Sequence, residues 1–119
     1  MAETTIITET FDIASKSDIH MTFSAYLQAT AALTLAAKTY IQEGSVTSTK
    51  TFAPQQYFSG NFTISYNEKF ESVSAGETTI TVTMDVTTGT ATIDTAMCSM
   101  NIIVFPLSVT STMTATITV

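Results

Sequence analysis

Nearly everything after Val46 alternates between apolar and polar residues with a period of two. Between Phe58 and Tyr66 the even positions Phe58, Phe62, Ile64 and Tyr66 are apolar, and the odd positions Ser59, Asn61, Thr63 and Ser65 are polar. Ile80, Val82, Met84 and Val86 alternate with threonines and Asp85 over Thr79 to Thr87. Leu107, Val109, Met113, Ala115, Ile117 and Val119 alternate with Ser108, Thr110, Thr112, Thr114, Thr116 and Thr118. Strict alternation places apolar side chains on one face of a sheet and polar ones on the other, which is the antiparallel pattern. Thr4 to Ile13 reads as a further strand of poorer alternation.

Residues 24–43 have a different texture. Tyr26, Ala29, Leu33, Ala36, Ala37 and Tyr40 recur at helical spacing. Thr22 or Ser24 suits an N-cap, and Gly44 stands where a left-handed residue ends a helix. Leu27, Leu35 and Ile41 lie off that stripe, so such a helix is apolar around much of its circumference and must be covered on more than one side. The expected architecture is therefore α+β, in the order β-α-β-β-β-β-β. One long, largely buried helix (about 24–43) packs on an antiparallel sheet or sandwich of about six strands. No repeat or linker divides the chain, so residues 1–119 read as a single domain.

Two connections can be read further. Ser74-Ala75-Gly76 and Thr87-Thr88-Gly89-Thr90 are turns between strands. An even loop at Thr88-Gly89 pairs Met84 with Ile93 and Val86 with Ala91 in a hairpin, keeping apolar beside apolar. After Thr95 the apolar positions move from odd (Ala91, Ile93) to even (Met100, Ile102, Val104), which predicts a bulge near Ala96-Met97-Cys98. The continuous run Ile102-Ile103-Val104-Phe105, closed by Pro106, reads as a segment buried on both sides.

Composition narrows the function classes. Of 119 residues, 26 are threonine, 12 are serine and none is arginine; ten acidic residues against four lysines give a formal charge of −6. A chain this poor in cations has little with which to neutralise phosphates, which argues against nucleic acid as a partner. One Cys and one His build neither an internal disulfide nor a zinc site. The N-terminal residues carry no signal-peptide pattern, and the stretch Phe23 to Ile41 is too polar to span a bilayer.

Few residues offer chemistry. Asp18 and His20 share one short stretch and could do acid–base work, although Asp18 equally suits a helix N-terminus. Asp85 and Asp94 are two carboxylates for a weak cation site, without the dense ligand loop of a dedicated one. Cys98 has neither a neighbouring base nor a cationic setting and reads as a small buried hydrophobe. No cofactor is expected. The threonine row Thr110, Thr112, Thr114, Thr116 and Thr118 reads as an interface, because uncharged β-branched side chains pair across strand edges at low entropic cost.

His20-Met21-Thr22-Phe23-Ser24-Ala25-Tyr26-Leu27 resembles the segment by which hotdog-fold thioesterases pass from a loop histidine into their central helix. Ile64-Ser65-Tyr66, followed by Ala75-Gly76-Glu77 and an alternating strand, is similar to the next stretch of that family. The resemblance implies a small cytoplasmic acyl-CoA thioesterase, dimeric, with Asp18 and His20 near the substrate.

The residue pattern taken alone favours another class. It suggests a non-enzymatic structural subunit of a self-assembling particle, such as a phage or virus capsid decoration or tail-tube protein. Its partners would be further copies of itself and other structural proteins, located in a virion or extracellular particle and touching neither nucleic acid nor membrane. An extracellular adhesion or ligand-binding module is a further alternative.

Overall fold

A computed structural model describes residues 3–107, together with Thr116 and Thr118. These residues form eight strands: β1 (Thr4–Ile13), β2 (Ser17–Ala29), β3 (Leu33–Glu43), β4 (Val46–Tyr57), β5 (Gly60–Val73), β6 (Gly76–Thr88), β7 (Ala91–Ile93) and β8 (Ser99–Pro106). A single 3-10 turn, Thr95–Met97, separates β7 from β8. One sheet has the order β1-β6-β3-β4. In the other, β2 is central, with β5 on one side and β7 and β8 end to end on the other. All pairings are antiparallel.

The chain steps from one sheet to the other at β1–β2, β2–β3, β4–β5, β5–β6 and β6–β7. Among the described residues only β3–β4 is a tight hairpin: Glu43 pairs with Val46 across Gly44-Ser45. Gly44 has a φ of 58° while Ser45 has no positive φ. That is the type II′ pattern, with glycine first, whose twist matches the flanking strands.

The two sheets share one core. Ile19, Met21, Phe23, Ala25 and Leu27 of β2 face Leu33, Leu35, Ala37 and Ile41 of β3 and Ile80, Val82 and Met84 of β6, all buried. Full burial of each larger side chain contributes about 1.5–3 kcal/mol. Along the β4/β5 margin the sheets meet through aromatic pairs: Phe52 stacks on Tyr66 at 5.2 Å and Tyr57 on Phe62 at 4.4 Å. Strand order then puts β1 and β8 at the opposite margin.

The expected α+β architecture is thus corrected to an all-β sandwich, and among the described residues there is no α-helix. Residues 24–43 form the end of β2 and all of β3, in opposite sheets. The inner row is Phe23, Ala25, Leu27 and Ala29, then Leu33, Leu35, Ala37, Thr39 and Ile41, every second residue. Leu27, Leu35 and Ile41, which fit no helical stripe, are therefore core residues of strands. The helical reading arose because Tyr26, Ala36 and Tyr40 on the outer row are also apolar, which hides the period of two. The hotdog resemblance falls with the helix, since that fold wraps its sheet around one.

Other expectations divide. The strands Thr4–Ile13 and Gly76–Thr88 stand where alternation puts them, with Ile80, Val82 and Met84 inward. The hairpin pairing Met84 with Ile93 does not form, because Gly89-Thr90 carries the chain across to the other sheet and Met84 pairs with Thr4 and Ala37. The bulge near 96–98 is present. Leu27 pairs with Ile93 but Ser24 with Ser99, so residues 94–98 stand against Tyr26 and Ala25 alone. That three-residue excess is odd, which is why the apolar parity switches. The strand expected over 107–119 lies outside the described residues, apart from Leu107, Thr116 and Thr118.

Candidate functional site

The feature least explained by folding alone is the outer edge of β8, which no strand covers among the described residues. The β8 strand is positioned by the bulge before it. At the bulge Asp94 donates its N–H to the Tyr26 carbonyl at 3.2 Å, and its Oδ1 accepts from the Ala96 N–H at 3.1 Å. The Asp94 carbonyl receives the Met97 N–H at 3.0 Å and the Cys98 thiol at 3.3 Å. A short side chain that caps its own turn in this way fixes the offset between β7 and β8. From Ser99 to Pro106, β8 then follows β2, and the Leu107 N–H reaches the Lys16 carbonyl at 2.8 Å.

Parity divides β8 into two rows. Met100, Ile102 and Val104 pair with Phe23, Met21 and Ile19 and so face the sandwich interior. Ser99, Asn101, Ile103 and Phe105 face outward. The expectation of a segment buried on both sides is corrected: Ile103 is 57% exposed, Phe105 46%, Leu107 45% and Val104 36%. Among the described residues no strand pairs with the second edge of β8.

The other three edges are blunted. On β1, Glu9 sits opposite buried Ile80 on the inward row, and the register slips between Thr5 and Ile7. The β4 strand carries Lys50 and Pro54, with a register slip between Leu35 and Ala37. Glu68, Lys69 and Glu71 lie on β5, which is bent at Ser72, with its positive φ of 55°. Charges, inward charges, prolines and bulges are the devices that keep sheet edges from pairing. None occurs in β8 before its terminal proline.

Asp18 and His20 do lie together, on the outer row of β2, yet their partners are structural. Asp18 Oδ1 accepts the Ser72 N–H at 2.9 Å and so holds the β5 bend. The exposed His20 packs its ring on Phe105, with centroids 4.8 Å apart. Asp85 and Asp94 stand in different sheets, Asp85 opposite Ala36 and Asp94 in the bulge. Among the described residues no three His, Cys, Asp or Glu side chains converge. Cys98 is half-buried with a free thiol. Of the threonine row, Thr110, Thr112 and Thr114 lie outside the described residues; Thr116 and Thr118 are exposed and outside any strand.

Elsewhere, Glu3 joins Lys38 at 3.0 Å and accepts the Tyr40 hydroxyl at 2.8 and 2.9 Å on the outer face of the β1-β6-β3-β4 sheet. The Tyr40 hydrogen bond and then Lys38 hold the Glu3 carboxyl below the usual range, while Glu3 pushes Lys38 and Tyr40 up. This cluster ties β1 to β3 across β6. At the end of the sandwich a cleft of about 370 Å³ opens between the sheets, lined mainly by apolar residues including Leu27, Leu35, Met84 and Ile93. The edge of β8 was missed in the sequence because a charge-free apolar run looks the same on a central strand and on an unprotected edge.

No protein-family model and no curated protein sequence matches this chain.

Proposed function

We propose that this chain is a non-enzymatic structural subunit of a self-assembling particle, as in a virion, where it would serve as a capsid decoration or tail-tube component. The observation that carries the reading is the uncharged, largely apolar outer edge of β8, which no strand covers among the described residues, in a sandwich whose other edges are protected. Edge strands of this composition pair with other chains unless something covers them. A subunit meant to assemble keeps one such edge and blunts the rest. The low charge of the outer faces fits the same purpose, since contacts between Thr, Ser and Asn cost little side-chain entropy and little desolvation of ions.

The test is the mass of the particle in solution, by light scattering and negative-stain electron microscopy. The wild-type chain should form multimers of regular shape. Ile103→Glu, on an exposed outward position, should shift the population to monomer while leaving the far-UV circular dichroism unchanged. A wild-type chain that stays monomeric up to its solubility limit overturns the reading.

A further inference from the structure

We infer, independently of the subunit reading, that Glu3, Thr4 and Thr5 form a strap, fastened by Glu3 across β6, whose release opens the cleft between the sheets. A bulge, a side-chain fastening and the cleft come together at this corner of the sandwich.

The bulge sets the strap apart. From Ile7 opposite Val82 to Ile13 opposite Gly76, β1 follows β6 in one register. Ahead of the slip between Thr5 and Ile7, only Thr4 and Thr5 pair with β6, opposite Met84 and Thr83. A bulge interrupts the ladder through which neighbouring pairs support one another. The end of an edge strand with two such pairs opens locally at little cost unless something ties it down.

Glu3 is the tie. Its carboxylate accepts the Tyr40 hydroxyl at 2.8 and 2.9 Å and meets Lys38 Nζ at 3.0 Å. Both partners stand on β3, so the carboxylate reaches over β6 to the next strand. Beneath that span lies Thr83, which belongs to the outer row of β6 and is nevertheless only 5% exposed. The Glu3 and Tyr40 side chains come close enough to act on its hydroxyl and so roof it over. The closed position also carries a cost. One carboxylate oxygen of Asp85, the next outer residue of β6, is shut off from water without a hydrogen-bond partner among the described residues. Opening rehydrates it and offsets part of what the broken ties lose. A segment held by a few side-chain bonds against such a cost has two positions close in free energy.

The strap meets the cleft at Thr4, which lines it together with Met84, Asp85 and Val86 of β6 and Ala91 and Ile93 of β7. Because β1 is an edge strand, Thr4 stands at the margin of its sheet. With the strap displaced, the buried Met84 loses its neighbour on that side and an apolar wall is uncovered. A mostly aliphatic lining of this kind admits a small, largely apolar molecule.

The experiment uses the full chain, its Glu3→Gln variant, and Glu3→Gln carrying a staple. The staple is Thr5→Cys with Thr83→Cys, which stand opposite each other, in a Cys98→Ala background that removes the free thiol. Hydrogen exchange and the fluorescence of Nile red, an uncharged apolar dye, are the readouts. Glu3→Gln should speed exchange at residues 4–5 and 83–84 about tenfold, leave residues 7–13 unchanged and raise dye fluorescence. Closing the staple should reverse both effects, and reducing it should restore them. Exchange that is unchanged in Glu3→Gln, or that quickens equally over the whole of β1, overturns the inference, since Glu3 would then fasten nothing or support the entire strand. Dye uptake that is the same with the staple closed and reduced overturns it as well, because the cleft is then not reached through the strap.

Discussion

The two sheets are joined inside the sandwich by a hydrogen bond whose two ends are unequally buried, and that inequality can be tested. Thr39 Oγ1 and the Tyr66 hydroxyl lie 3.0 Å apart, linking β3 to β5. Thr39 is fully buried, whereas Tyr66 is partly exposed. Tyr66→Phe keeps the ring, its stack on Phe52 at 5.2 Å and its tilted contact with Phe23 at 5.3 Å. What it removes is the hydrogen-bond partner of a hydroxyl that water cannot reach. Leaving a buried hydroxyl unpaired costs about 1–3 kcal/mol. Thr39→Val is different, because it replaces the buried hydroxyl by a methyl and leaves the Tyr66 hydroxyl free to turn toward solvent, at a cost of about 0–1 kcal/mol. The double variant should therefore be more stable than Tyr66→Phe alone, with a coupling of about 1–2 kcal/mol. Urea denaturation followed by circular dichroism measures all three, and a loss of 2 kcal/mol corresponds to about 8 °C in Tm for a chain of this size. If Thr39→Val proves costlier than Tyr66→Phe, or if the two effects simply add, the sheets are not joined in this way.

Burial holds the Tyr66 and Tyr57 phenols above their ordinary value, Thr39 partly offsetting this at Tyr66. Since the raised folded pKa favours the neutral form, this stability is complete below about pH 10 and lost as pH rises further; Tyr66→Phe should flatten that alkaline loss in a pH series of urea midpoints. The depressed Glu3 carboxyl works in the opposite sense, contributing stability above the usual carboxylate range that fades as pH falls, so Glu3→Gln should flatten the acid limb. Gly89 has a φ of 80°, and a Cβ there would come within 3.1 Å of the Ala32 carbonyl and 3.2 Å of the Leu33 Cβ. Gly89→Ala should lower stability by about 1–3 kcal/mol in thermal melts; an unchanged Tm would show that the two connections at this end are not packed together. Asp94→Ala, which removes the cap of the bulge, should cost about 0.5–2 kcal/mol and speed hydrogen exchange over 94–98 first.

The legible part of the fold was wherever one row of a strand is apolar and the other is not. In β6, Ile80, Val82 and Met84 alternate with threonines, and both the strand and its inward face follow from that alone. The parity switch after Thr95 disclosed the bulge for the same reason. In β2 and β3 the signal was masked by residues rather than absent. Alanine at 25, 29, 36 and 37 has high helix propensity, and tyrosines at 26 and 40 lend the outer row an apolar look. Long-range pairing decided the outcome: β2 lies between β5 and β8, and β3 between β4 and β6, so both are central strands, and of these neighbours all but β4 are supplied from distant sequence. Sheet membership was likewise illegible at Gly89-Thr90, because a loop of turn residues serves a hairpin and a crossing equally well.

The candidate site shows the same limit from the other side. Asp18 and His20 were picked out for their chemical types, and the fold gives both of them neighbours that use shape and hydrogen bonding: Ser72 for one, Phe105 for the other. Ile103 and Phe105 were assigned to the interior for their hydrophobicity and stand at its rim. What separates an interior strand from an exposed one is the number of its partners. The same uncharged sequence is stable between two neighbours and adhesive beside one. The exposed apolar side chains of β8 therefore matter less as a patch than as the flank of a strand that has one partner, β2, among the described residues. That is why a charge at Ile103, which is exposed on the outer row of β8, should act on assembly and leave the fold unchanged.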